Sequence, residues 1–142
     1  MKKSEKLLEI CRKFHIALLY AFGSQRDNAI KILNFEKVDI HDPLTDIDIG
    51  VVFEIDIEKI KDRRKLYSNL YNEISEIFKP YSLDLVFLQE CHSLLQMEAI
   101  EGYCIYKISE EFKENYEMRI LRKYADVKYL FDRYFEEALE EY

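Results

Sequence analysis

Residues 45–53 read Thr-Asp-Ile-Asp-Ile-Gly-Val-Val-Phe, and this alternation leaves little choice of conformation. In an extended strand successive side chains take opposite sides. Asp46 and Asp48 then share one face, while Ile47, Ile49 and Val51 share the other and point into a core. Two acids side by side repel one another and raise each other's pKa unless a positive charge lies between them. We read that charge as Mg²⁺, held there to bind a nucleoside triphosphate.

The rest of the chain supplies a frame for such a strand. Residues about 4–14 read as a helix through Leu7, Leu8, Cys11 and Phe14. Ile16 to Phe22 is an unbroken apolar run whose length and terminal Gly23-Ser24 favour a buried strand. A short helix starting near Ser24 carries Ile30 and Leu33. From Asn34 to Thr45 charges mix with Pro43 without any sustained period, which predicts a loop or excursion. The strand at Asp46 to Glu54 leads to an amphipathic helix over residues about 57–78, facing inward through Ile60, Leu66, Leu70, Ile74, Ile77 and Phe78 and closed by Pro80. Leu83 to Leu88 is a third strand with Asp84 as its single charge. A helix over residues about 90–100 is broken by Gly102, and Tyr103 to Ile108 forms a fourth short strand. Helical spacing of Tyr116, Ile120, Tyr124, Val127, Phe131 and Tyr134 then continues almost to the end, an aromatic stripe that reads as core or interface.

The class expected is α/β (α+β): one domain over 1–142, with a small mixed sheet flanked by helices and a C-terminal helical extension from about residue 109. The chain is long enough to bury a core without covalent staples. Its three cysteines, Cys11, Cys91 and Cys104, are odd in number and lack CxxC spacing, which fits neither a disulfide framework nor a zinc knuckle and suggests a reducing cytoplasm. We expect them to act as small hydrophobes in the core. No secretory leader or membrane span is expected. With a formal net charge of −7 and scattered Lys and Arg, long nucleic acid is a poor partner and a basic protein surface an easier one.

The strand-to-helix turn at Gly23-Ser24 presents free backbone N–H groups at a helix N-terminus, where a triphosphate can be cradled. Gly23 admits the ligand close to the backbone, and Ser24 adds a hydroxyl. If the third strand pairs with the second, Asp84 joins Asp46 and Asp48, and three carboxylates suit two divalent ions. Asp84 could also take the proton of an attacking hydroxyl. The reaction implied is in-line attack on the α-phosphate with release of pyrophosphate. Our case for Asp84 rests on the cost of burying an unpaired carboxylate. A calcium loop is excluded because Val51, Val52 and Phe53 stand where oxygen ligands are needed. His15 reads as a satisfied boundary residue, and His41 with Asp42 as solvated loop positions.

Ala21-Phe22-Gly23-Ser24, then Thr45-Asp46-Ile47-Asp48-Ile49-Gly50-Val51-Val52-Phe53, then Leu83-Asp84-Leu85-Val86 resembles the nucleotidyltransferase fold of the polymerase β type. With the helical tail from Met118 to Glu137, it looks more narrowly like the minimal nucleotidyltransferases, antitoxin partners of HEPN-domain toxins. The resemblance covers most of the chain. It implies ATP as substrate with Mg²⁺, Asp46, Asp48 and Asp84 as catalytic metal ligands, and Gly23, Ser24 and Arg26 as the phosphate-binding segment. It further implies transfer of AMP to a tyrosine of a partner HEPN toxin in a type VII toxin–antitoxin pair. The family's Gly-Ser-x-Ala-Arg-Gly is incomplete here, with Arg26 standing for its basic residue, and the interval from Gln25 to Thr45 is longer than usual. Two rivals remain: an antitoxin-like module acting by contact alone, and a small-molecule nucleotidyltransferase, for whose usual extra helical domain the residues after Ile108 leave little room.

Overall fold

A computed structural model describes residues 2–38, 40 and 45–140. Its element order is α1 (Lys3–Lys13), β1 (Ile16–Phe22), α2 (Arg26–Leu33), β2 (Asp46–Phe53), α3 (Arg63–Phe78), β3 (Ser82–Phe87), α4 (Ser93–Glu101), β4 (Tyr103–Lys107) and α5 (Glu110–Glu140). Short 3₁₀ turns at Ile57–Lys59 and Leu88–Glu90 join β2 to α3 and β3 to α4. The strands form one mixed sheet in the order β3-β2-β1-β4. β1 runs antiparallel to both its neighbours, and β2 runs parallel to β3.

The apolar run of β1 is the sheet's centre, buried at all seven positions because helices cover both faces. On one face Leu19, Ala21, Ile47, Ile49, Val51, Leu83, Leu85 and Phe87 pack with residues of α1, α2 and α3. On the other, Leu18, Tyr20, Phe22 and Val52 pack with Leu88, Ala99, Tyr116 and Ile120 under α4 and α5. The two-residue period of β2 is thus split between two cores, and Asp46 and Asp48 fall on the α4/α5 side.

Several expectations need correction. The third helix does not begin near residue 57. Asp56 caps the 3₁₀ turn by accepting from the Glu58 N–H, and Asp62 caps α3 by accepting from the Lys65 N–H. Two acids that compete for backbone donors break the pattern into two pieces, with Ile60 extended between them. In α2 the deepest residues are Ala29 and Ile32 rather than Ile30 and Leu33. Cys11 is buried, whereas Cys91 and Cys104 are only half-buried, their thiols against the carbonyls of Phe87 and Tyr106. His15 is exposed in a tight turn at φ 55°, its ring 3.5 Å from Glu54. His41 and Asp42 lie outside the described residues. Among the described residues no helix is long and apolar enough to cross a membrane.

Gly102 does more than end α4. A Cβ there would collide with the Ala21 carbonyl oxygen and sit 2.9 Å from the Phe22 Cα, so only glycine lets the α4–β4 corner close on the end of β1. Gly102→Ala should therefore lower stability by about 2 kcal/mol or more, read from chemical denaturation; a loss below about 0.5 kcal/mol would contradict the close approach.

Candidate functional site

The parallel pairing of β2 with β3 places Asp48 opposite Asp84 and Asp46 opposite Ser82. Adjacent strands lie about 4.8 Å apart, and the shared register sends both acids to the same face. Asp84 therefore bears directly on the Asp48 carboxyl from the facing strand. On its other side Asp48 pairs with Phe22, the last residue of β1, so the chain turns at Gly23 directly beside it. Gly23 has φ +77°, and a Cβ at that position would run into the Asp48 carboxylate. Backbone conformation and space both require glycine here.

Asp48 is the half-buried member of the group, and its pKa is pushed up to about 6. Burial is the largest cause, followed by the hydrogen bond and charge of Asp84, then the charges of Asp46 and Glu98. Glu98, on α4, is a fourth acid with no signal in the sequence. Only the packing of α4 beside the sheet brings it near. Asp84 itself is exposed, which corrects the sequence argument from burial: β3 is an edge strand, so its face stays open to solvent at that position. The desolvation expected of Asp84 falls instead on Asp48.

Gly23 and Ser24 are exposed, and α2 begins two residues beyond Ser24. Its N-cap residue Gln25 makes no side-chain cap, and although the Arg26 N–H donates to the Gly23 carbonyl, the Asp27 and Asn28 amides of the first turn take no such cap. Arg26 approaches the Glu101 carbonyl oxygen at 3.5 Å and lies 5.8 Å from the centre of the Tyr103 ring. The Tyr103 hydroxyl donates to Asp27 at 2.7 Å. A guanidinium is thereby oriented at the turn by two partners, the Glu101 carbonyl and the Tyr103 ring, that sequence reasoning did not find, because they come from the α4–β4 corner.

The donor set suits Mg²⁺: it is all oxygen, and the Asp48–Asp84 pair is repulsive once both carboxyls ionise. Among the described residues no three His, Cys, Asp or Glu side chains form a ready cage for a cation. Magnesium commonly takes one or two carboxylates and completes its shell with waters and substrate phosphates, so an open pair remains compatible with it.

A small mixed sheet with facing acids beside a glycine turn at a helix N-terminus defines a nucleotidyltransferase-type fold. The family model described as polymerase beta, nucleotidyltransferase, matches residues 5–111, and the chain belongs to that family. No curated protein matches the sequence. Among solved structures, a mutant of the toxin–antitoxin pair MntA–HpeT aligns with TM-score 0.68 and 15% identity over 96% of this chain and 98% of that one. A toxin–antitoxin structure with AMP-PNP aligns at 0.64 and 17% over 96% and 98%. The tri-AMPylated HEPN toxin of Shewanella oneidensis in complex with MNT antitoxin aligns at 0.60 and 17% over 98% and 99%. At these identities the likeness is one of fold.

Proposed function

We propose that this chain transfers AMP from ATP to a tyrosine hydroxyl of a HEPN-type toxin and so acts as its antitoxin. The observation that carries the proposal is the register that sets Asp48 opposite Asp84 on paired strands beside the Gly23 turn. Membership of the nucleotidyltransferase family supports it. So does likeness of fold to structures containing AMP-PNP and an AMPylated HEPN toxin.

In this mechanism Asp48 and Asp84, with Asp46 beside them, would hold Mg²⁺ together with waters and the substrate phosphates, and the ion would offset charge on the phosphates and acidify the attacking hydroxyl. The first-turn amides of α2 and the Arg26 guanidinium hold the phosphate tail in line with the acceptor. Gly23 keeps that tail close to Asp48. Asp84, on the open edge, faces the acceptor and takes the proton from its hydroxyl as the bond to the α-phosphorus forms and pyrophosphate leaves.

Incubating the chain with labelled ATP, Mg²⁺ and a HEPN protein encoded beside it should transfer label to a toxin tyrosine and abolish toxicity. Silencing without transfer would replace this reading by one of inhibition through contact.

A further inference from the structure

α5 runs for 31 residues, but only its first part packs on the sheet, where Tyr116 and Ile120 are buried. Beyond them Val127, Leu130, Phe131 and Tyr134 line a shallow apolar groove of about 350 Å³. Leu130, Phe131 and Tyr134 are exposed by 63, 54 and 66%. An apolar stripe of this size on a projecting helix is expected to meet a partner.

The charges beside the stripe indicate which partner. Between Arg119 and Lys128 the helix carries Arg119, Arg122, Lys123 and Lys128 against Asp126 alone. Between Asp132 and Glu140 it carries Asp132, Glu136, Glu137 and Glu140 against Arg133 alone. A segment such as Arg119 to Glu140, basic in its first part and acidic in its second, is complementary to itself when two copies lie antiparallel.

We propose that this stripe is a self-association surface, on which the distal halves of α5 from two copies pair antiparallel. The stripe residues Tyr124, Val127, Phe131 and Tyr134 follow alternating steps of three and four, the spacing of a coiled-coil seam. Packing Phe131 of each copy against Val127 of the other also brings the two Tyr124–Tyr134 layers together. That register sets Lys123 of each copy beside Glu137 of the other, twice per dimer. It also lands the acidic end of each helix at Arg119 and Lys123, which line a cavity of about 520 Å³ between α5 and the loop after β2. Lys128 meets its own copy near the two-fold axis, an unfavourable pair in this register.

The test is the mass of the full chain in solution, by light scattering across a concentration series. A dimer is expected, reduced to monomer by Phe131→Glu with unchanged circular dichroism, since Phe131 is exposed and its loss leaves the body intact. Lys123→Glu and Glu137→Lys should each weaken the dimer about 10-fold or more, the double variant should recover to within about threefold, and Lys128→Ala should tighten it. A monomer at every concentration, a dimer indifferent to Phe131→Glu, or a double variant that fails to recover each overturns the proposal. A monomer that loses a helical toxin partner through Phe131→Glu assigns the stripe to that partner instead. These readouts need no nucleotide transfer, so they succeed or fail apart from the proposed activity.

Discussion

Replacing Asp48 with Asn is expected to give a more stable protein that no longer transfers nucleotide. The side chain keeps its size but loses the charge that burial and Asp84 oppose. Because the folded-state pKa is raised, protonated Asp48 favours the fold at low pH. That contribution is lost as pH rises through about 6, leaving a penalty at pH 7 in the metal-free protein. Discounted for partial exposure, relief of this penalty is about 1–2 kcal/mol, or roughly 3–6 °C in the thermal midpoint. The gain should shrink as pH is lowered from about 6 toward 4 and vanish only near pH 3, below the ordinary aspartate pKa, where Asp48 is neutral in both folded and unfolded chains. Transfer should fall about 10³-fold, comparable to loss of a preorganised electrostatic group. Melting curves with and without Mg²⁺ at pH 3 and 7, together with a single-turnover assay, check both halves. A variant less stable than the parent at pH 7, or one that retains transfer, would contradict the assignment.

Gly23→Ala carries the second large effect. Its methyl group would occupy space now filled by the Asp48 carboxylate, at a φ of +77° that alanine adopts only with strain. Folding stability should fall by about 1–2 kcal/mol. Transfer should fall about 10²-fold, since misplacing a catalytic group by about 1 Å has that consequence. The loss should be strongly non-additive with Asp48→Asn, because the displaced carboxylate is the source of the defect. Transfer within about threefold of the parent would show that the turn does not position Asp48.

The parts of this molecule most legible in its residues are those set by local period. The alternation of Asp46, Ile47, Asp48 and Ile49 identified a strand and its faces, because the side-chain repeat of a strand belongs to the backbone itself. The solid apolar run of β1 carried no alternation, and its length with the Gly23-Ser24 that ends it is what marked a buried strand. Competition between local signals was harder to read: Asp56 and Asp62 both offered caps, and the start of α3 depended on which backbone donors each captured.

What distant segments do to one another lay outside any window of sequence. Asp84 stood out as a charge in an apolar run, yet whether it was buried depended on β3 being an edge strand. Glu98, and the support that Arg26 receives from Glu101 and Tyr103, exist only because the α4–β4 corner closes over the end of β1 at Gly102. The stripe of α5 shows the same division. Periodicity records that a helix has an apolar face, but burial is a relation between segments. Only the fold shows that this face is covered at Tyr116 and Ile120 and bare from Leu130 to Tyr134.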